Sequence, residues 1–202
     1  KGKEYNDDDL IFEGEYLNGE RNGKGKKYNY NGNIEFEGEF LNGIRNGKGK
    51  EYYNNGIIKF EGEYLNGTKI RKGREYYKNG ELKFEGEYLN DEKWNGKGYN
   101  ENGIMDFQIK NGNGKGKEYN KNGELEFDGE YYEGKRWNGK GKKYNYMDNL
   151  EYEGEFLNGE KNGKGKEFNN GKLEYEGEFL NGERNGKGKE YYKTKLIFEG
   201  EF

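Results

Sequence analysis

The side chains here that could do chemistry are carboxylates, amines and phenols, because the rest of the catalytic repertoire is missing. The 202 residues include no Cys and no His. A thiolate nucleophile, a disulfide, an imidazole base and Cys- or His-ligated metals are therefore excluded. Ser is absent too. The pattern with the most chemical potential is Glu13-Gly14-Glu15. Two carboxylates on one face of an extended segment could act as acid and base or hold a metal. The same pair recurs along the chain without a distinguishing partner, as a solvated ladder face would. No catalytic residue, cofactor or metal site is therefore expected.

Three other motifs resolve the same way. Gly19 to Gly25 has the Gly and Lys of a phosphate loop, but only three residues lie between Gly19 and Gly23, and Gly25 stands where Ser or Thr is required. Asp7-Asp8-Asp9 lacks the Gly and distal Glu of a calcium loop and reads as a strand connection. Asn66-Gly67-Thr68 is a lone glycosylation sequon, meaningful only on a secreted chain. Lysines interleave with aromatics, yet 36 Lys and Arg are balanced by 40 Asp and Glu. A phosphate backbone calls for a basic footprint, so no nucleic-acid partner is expected. An anionic lipid surface meets the same objection unless the lysines project to one edge.

The elements that carry these residues are repeats. Phe12-Glu13-Gly14-Glu15-Tyr16-Leu17-Asn18-Gly19 returns at Phe36, Phe60, Tyr152 and Tyr175, with variants at Phe84 and Phe127. The central glycines are Gly14, Gly38, Gly62, Gly86, Gly129, Gly154, Gly177 and Gly200, 23 to 25 residues apart except for a gap of 43 after Gly86. That gap hides a shortened copy, Phe107 to Gly112, in a degenerate unit near 103–123. Leu, Ile, Val and Phe supply 33 residues, about 16%, below the ~20% at which disorder is expected. Net charge is only −4, however, and 34 aromatics offer large buried area. The regular order favours an aromatic-cored repeat fold.

Frequent glycine and asparagine argue against helix. Phe12 to Tyr16 has period two, with Phe, Gly and Tyr on one face and the glutamates on the other. Lys24 to Tyr28 supplies a return strand, and the six residues Asn18 to Gly23 supply the loop with two Asn-Gly pairs. Asn31-Gly32 then turns the chain into the next unit. The strand glycines let an aromatic from a neighbouring strand lie over the backbone. Glu13 and Glu15 are expected to face Lys24 and Lys26 across the ladder.

The pattern carried by Phe12, Gly14, Tyr16, Gly19, Gly23 and Gly25, and by Phe36, Gly38, Phe40, Gly43, Gly47 and Gly49, resembles the MORN repeat (membrane occupation and recognition nexus). Tyr76-Tyr77-Lys78-Asn79-Gly80 is similar to the bacterial antitoxin-like variant of that repeat. Asn22-Gly23 and Asn46-Gly47 stand where the family often has His-Gly, so no ligand role of that His transfers. The resemblance implies an elongated single-sheet meander of hairpins used for scaffolding, self-association or peripheral membrane contact rather than catalysis.

The expected fold is all-β: one antiparallel meander of about eight hairpin units over residues 1–202, with about seventeen strands and a length of roughly 80 Å. Its radius of gyration should exceed ~23 Å, against ~16–17 Å for a compact globule of this length. The chain opens in the second half of a unit and stops in the first half of one, as a window of a longer array would. Local opening or a bend is expected at Gly103 to Gly112. The expected function is a non-catalytic scaffold that binds a protein partner or assembles with itself. The alternatives are a lipid-binding adaptor, an antitoxin or immunity-like protein, and a binding module of a larger enzyme or effector. Candidate contact residues break the repeat at the hairpin tips. Ile44 replaces Glu, Ile70 replaces Asn, and Trp94 and Trp137 are inserted before Asn-Gly. Exposed Trp is enriched at binding hot spots; each indole could instead fold back to fill space beside the degenerate unit.

Overall fold

The computed structural model describes residues 1–145 and 147–202. The regular structure there is entirely β, in eighteen strands. The first nine are β1 (Gly2–Asn6), β2 (Asp9–Leu17), β3 (Glu20–Tyr28), β4 (Ile34–Leu41), β5 (Ile44–Tyr52), β6 (Ile58–Leu65), β7 (Thr68–Tyr76), β8 (Leu82–Leu89) and β9 (Glu92–Tyr99). The rest are β10 (Met105–Lys110), β11 (Asn113–Tyr119), β12 (Leu125–Tyr132), β13 (Lys135–Tyr144), β14 (Leu150–Leu157), β15 (Glu160–Asn169), β16 (Lys172–Leu180), β17 (Glu183–Tyr192) and β18 (Lys195–Glu201). Each strand pairs antiparallel with the next in sequence, so the sheet is one open meander.

The loop between paired strands is shorter than the six residues expected. Asn18 and Gly19 alone make the turn, at φ 51° and 84°, as a two-residue type I′ hairpin requires. The second Asn-Gly belongs to β3. Tyr16 faces Arg21 and Gly14 faces Gly25, so Glu15 stands opposite Asn22, Gly23 and Lys24. That mismatch is a β-bulge, and Gly23 at φ 85° accommodates it. At the opposite edge, Asn29 Oδ1 accepts the N–H groups of Asn31 and Asn33 at 3.0 and 3.1 Å, closing an Asx turn.

The core is a single layer of rings. Gly14 and Gly25 face one another, and a Cβ on Gly14 would come within 2.8 Å of Phe12 Cζ. One ring covers both glycines: Phe12 lies two residues earlier on Gly14's own strand and reaches across from the neighbouring strand over Gly25, as Phe36 does over Gly49. Phe12, Phe36, Phe60 and Phe84 are all fully buried. Rings interlock edge to face from Phe12–Tyr16 (5.7 Å between centroids) and Phe12–Phe40 (5.1 Å) to Phe84–Tyr88 (5.4 Å). Each such pair adds about 0.5–1.5 kcal/mol beyond area burial.

The shortened unit interrupts this zigzag. Phe107 stacks between Phe84 and Tyr131 at interplanar angles of 20° and 19°. The sheet bends here with its aromatic face inward. The Lys78 amide donates to the Lys121 carbonyl at 3.4 Å although β8 to β11 separate their turns. In a flat sheet those turns would lie ~19 Å apart. The Lys121 ammonium also pairs with Asp148.

Candidate functional site

Four rows of side chains run along the array, and they differ in what they leave available. On the aromatic face, a cation caps the first ring of each unit from Phe12 to Tyr175. Arg21 lies 4.4 Å from the Phe12 centroid, Arg45 4.4 Å from Phe36 and Lys69 4.3 Å from Phe60. Arg21, Lys161 and Arg184, expected at polar hairpin tips, instead belong to strands and cover rings. The strand alternation explains this, because Arg21 stands opposite Tyr16 and so shares its face.

These cations join a row of carboxylates. Arg21 binds Glu4, Arg45 binds Glu35 and Glu51, and Lys69 bridges Glu51 and Glu75. Lys93 then bridges Glu75 at 3.4 Å and Glu118 at 2.6 Å, and Arg136 joins Glu118 to Glu126 at 2.9 Å each. Burial alone would raise the Glu75 carboxyl, but the Lys93 and Lys69 ammoniums outweigh it and hold it down to about 2. Glu118 is likewise held low against its burial by Lys93 and Arg136. Arg21, Arg45, Lys69, Lys93 and Arg136 all have carboxylate partners and form a structural clamp, while Lys83, set among them, makes no ion pair among the described residues, and burial lowers its pKa.

On the other face, the inner row is closed outside the shortened unit, where Lys97 and Lys117 make no ion pair among the described residues. Lys26 pairs with Glu37 at 3.6 Å, Lys50 with Glu61 at 3.5 Å, Lys166 with Glu176 at 3.5 Å and Lys189 with Glu199 at 3.4 Å. Tyr28, Tyr76 and Tyr191 donate their hydroxyls to Glu13, Glu61 and Glu176. Among the described residues no group of three or more candidate metal ligands converges.

The outer row is different. Lys24, Lys48, Lys72, Lys164 and Lys187 stand opposite Glu39, Glu63, Glu87, Glu178 and Glu201. Yet these lysines are exposed and make no ion pair among the described residues. The expected Glu15–Lys24 ion pair is replaced by the Glu15 carboxylate accepting the Lys24 backbone N–H at 3.0 Å, within the bulge. Glu63 is taken by Arg71 at 3.3 Å and Glu87 by the Asn95 amide at 2.7 Å. Beside the bend the outer lysines do close, Lys115 on Glu130 at 3.9 Å and Lys140 on Glu155 at 3.1 Å.

Outside the lysines, at the hairpin-tip edge, lies a row of leucines. Leu17, Leu41, Leu65, Leu89, Leu157 and Leu180 each end their strand and are 46–58% exposed. Two residues beyond the glutamates, they share the glutamate and lysine face. Each unit outside the bend thus offers one half-exposed leucine, and five units add a free ammonium. The sequence held the signal in Leu17 following Tyr16 and Leu41 following Phe40; what hid it was the assumption that each lysine had a carboxylate partner.

The four candidate contact residues all lie at this edge. Ile44 opens β5 opposite Leu41 and is 49% exposed. Ile70, Trp94 and Trp137 follow the capping cations Lys69, Lys93 and Arg136, inside strands rather than in the loop. Trp94 and Trp137 are the extra residues of bulges in β9 and β13. Both indoles are half-buried. The Trp137 ring lies 5.0 Å from Tyr132, and a Cβ on Gly159 would meet it at 3.6 Å. Trp94 closes in the same way over Gly112 of the next tip.

Residues 12–34, 36–58, 152–173 and 175–196 match the family model for the MORN repeat. These four stretches are MORN repeats. A search among curated proteins found no match. The matched MORN units flank the bend, and the stretch between them keeps the meander and the ring core while departing in register at both Trp bulges. MORN repeats are a structural repeat module, in keeping with a surface whose variable feature is what it displays.

Proposed function

We propose that this MORN-repeat chain is a non-catalytic scaffold whose hairpin-tip edge binds a protein partner. The observation that carries the reading is the half-exposed leucine at one position of successive units, beside an unpaired lysine. Scattered surface leucines need no explanation, but a contiguous apolar row on a charged protein marks an interaction surface. In the units flanking the bend the clamp and the inner ladder pair their lysines and arginines internally, which favours the outer rows for recognition. The test is Leu41→Asp with Leu65→Asp. The double variant should unfold at the wild-type temperature and lose a partner that co-purifies with the wild type from the native source. An unaltered partner set would refute the reading.

A second reading, peripheral contact with an anionic membrane, is favoured by the free lysines, each of which contributes about 1 kcal/mol near an anionic surface. Pelleting with phosphatidylserine vesicles that disappears in Lys24→Gln/Lys48→Gln/Lys72→Gln would support it. Equal pelleting of both proteins would refute it.

A further inference from the structure

The bend encloses a cavity of about 450 Å³, with β6, β7 and β8 on one side and β12 and β13 on the other. A space of that size suits a small molecule. Its wall carries three phenol rings, Tyr53, Tyr76 and Tyr144, and the amine of Lys83. Lys83 is half-buried and makes neither an ion pair nor a side-chain hydrogen bond among the described residues. Its nitrogen lies 5.8 Å from the centroid of the fully buried Tyr77 ring.

The repeat shows why this amine is alone. Lys83 immediately precedes Phe84, the first ring of its unit. Glu35 and Glu126 hold that position before Phe36 and Phe127, and each binds a capping cation, Arg45 at 3.2 Å and Arg136 at 2.9 Å. Before Phe84 the sign is reversed, and a lysine stands next to the capping ammonium of Lys93. Lys59, which precedes Phe60, reaches Glu51 at 3.9 Å. The carboxylates that face Lys83 are Glu75, Glu118 and Glu126, and these are held by Lys69, Lys93 and Arg136. Other charges on the wall close on their neighbours, Lys121 on Asp148 and Glu124 on the Asn120 amide. Burial and the Lys93 ammonium lower the Lys83 pKa against the pull of Glu75, Glu118 and Glu126. Desolvation beside a second cation is what makes a lysine nucleophilic near neutral pH.

We propose that the bend cavity is a covalent site for a small aldehyde, which the Lys83 amine takes up as an imine. The Lys83 nitrogen attacks the carbonyl carbon and forms the C–N bond. Its two protons pass to the carbonyl oxygen, which leaves as water while C=N replaces C=O. No oxidant, reductant or further reactant is needed. Tyr144 lines the same wall and stays protonated, because burial and Glu126 raise its hydroxyl, so it can donate to the carbonyl oxygen. The rings of Tyr53 and Tyr76 offer apolar surface to a planar aldehyde. What selects the occupant is the reactivity of one amine rather than net charge, since the carboxylates around it are already paired. The site uses none of the leucines or outer lysines of the tip edge and stands apart from the partner they bind.

The experiment treats the full chain with limiting pyridoxal near neutral pH, reduces the imines with borohydride and maps the modified lysines by mass spectrometry. An unperturbed lysine amine is only about one part in a thousand free at pH ~7.5. Lys83 should therefore be modified about fivefold faster than the exposed lysines Lys24, Lys48 and Lys72. Its rate should level off below pH ~10. In urea the preference should vanish, because the cavity does. Lys83→Met should leave the modification of the exposed lysines as it was and unfold at or above the wild-type temperature, since it removes an amine with no partner. Modification of Lys83 no faster than that of the exposed lysines would overturn the proposal. A preference that persists in urea would overturn it too, by assigning the reactivity to the local sequence instead of the cavity. Unfolding of Lys83→Met well below wild type would show an amine engaged in holding the bend, which also overturns it.

Discussion

The regular units from β2 to β8 and the shortened unit at β9 to β11 are built from the same residue types and solve the same problem differently. In the regular stretch, rings meet edge to face over paired glycines, and each capping cation lies at a strand start. Around β10, a strand of six residues cannot supply both rings of the zigzag, and Ile109 stands where Tyr or Phe stands elsewhere. Phe107 stacks flat instead, and the sheet folds inward over Glu75, Lys93 and Glu118. The lesson is that losing one aromatic per unit changes curvature. The row of ion pairs becomes more buried toward the bend, from 22% and 34% exposure for the side chains of Arg21 and Glu4 through 17% and 14% for Lys69 and Glu51 to 13% and 14% for Lys93 and Glu118. The bend also closes the outer lysines Lys115 and Lys140, which confines the free strip to the flanking units.

The comparison breaks most easily at the rings. Phe60→Ala removes a fully buried ring and should cost about 3–5 kcal/mol in urea unfolding. A cost under 1 kcal/mol would mean that the ring layer is not the core. The clamp separates the two regions next. Lys93→Met leaves Glu75 only Lys69 and Glu118 only Arg136 in a half-buried setting and should cost about 2 kcal/mol, whereas Arg21→Met removes a more exposed cap and pair and should cost about 1 kcal/mol. Equal costs would show that the bend buries nothing extra.

Acid should read out the same difference. Glu75, at about 2 when folded, contributes stability that is fully present above its unfolded value near 4.5. That contribution, on the order of 3 kcal/mol, should vanish as pH falls from 4.5 to 2, and Glu75→Gln should flatten the curve. At the other end, burial and Glu4 raise the Tyr16 hydroxyl to about 12, and burial and Glu13 do the same for Tyr28. Stability should be constant up to pH 10 and decline between 10 and 12. Amide exchange should be about tenfold faster at Gln108 and Lys110 than at Glu61 and Glu63, because few ladder pairs hold β10 to β11. Uniform exchange would contradict the weak point. The smallest expected effect is that of Lys48→Gln, within about 0.5 kcal/mol of wild type, since it has no partner to lose.

Much of this was legible from residue order. Two-residue alternation at Phe12 to Tyr16 assigns faces, Asn18-Gly19 specifies a I′ turn, and the recurrence of Gly14, Gly38 and Gly62 specifies one meander. These are local facts, set by φ preferences and the period of a strand. The candidate tip residues were placed at the correct edge by the same logic, although Trp94 and Trp137 were assigned to loops because Asn22-Gly23 reads as a turn; in the sheet it is a bulge.

What the tertiary structure decided was pairing. Arg21 reads as a tip residue until the two-residue turn at Asn18-Gly19 pairs it with Tyr16 and places it over Phe12. Lys24 and Lys26 are two residues apart in a repetitive sequence and look equivalent. The register gives Lys26 the Glu37 carboxylate, while the bulge turns the carboxylate of Glu15 onto the backbone and leaves Lys24 free. The direction of the bend was likewise invisible, because it depends on which face loses a ring when β10 shortens. Sequence determined which side chains share a face, since that follows from the geometry of a single strand. Which charges remained uncompensated required strand registers and distances, because an ion pair is a property of two strands at once.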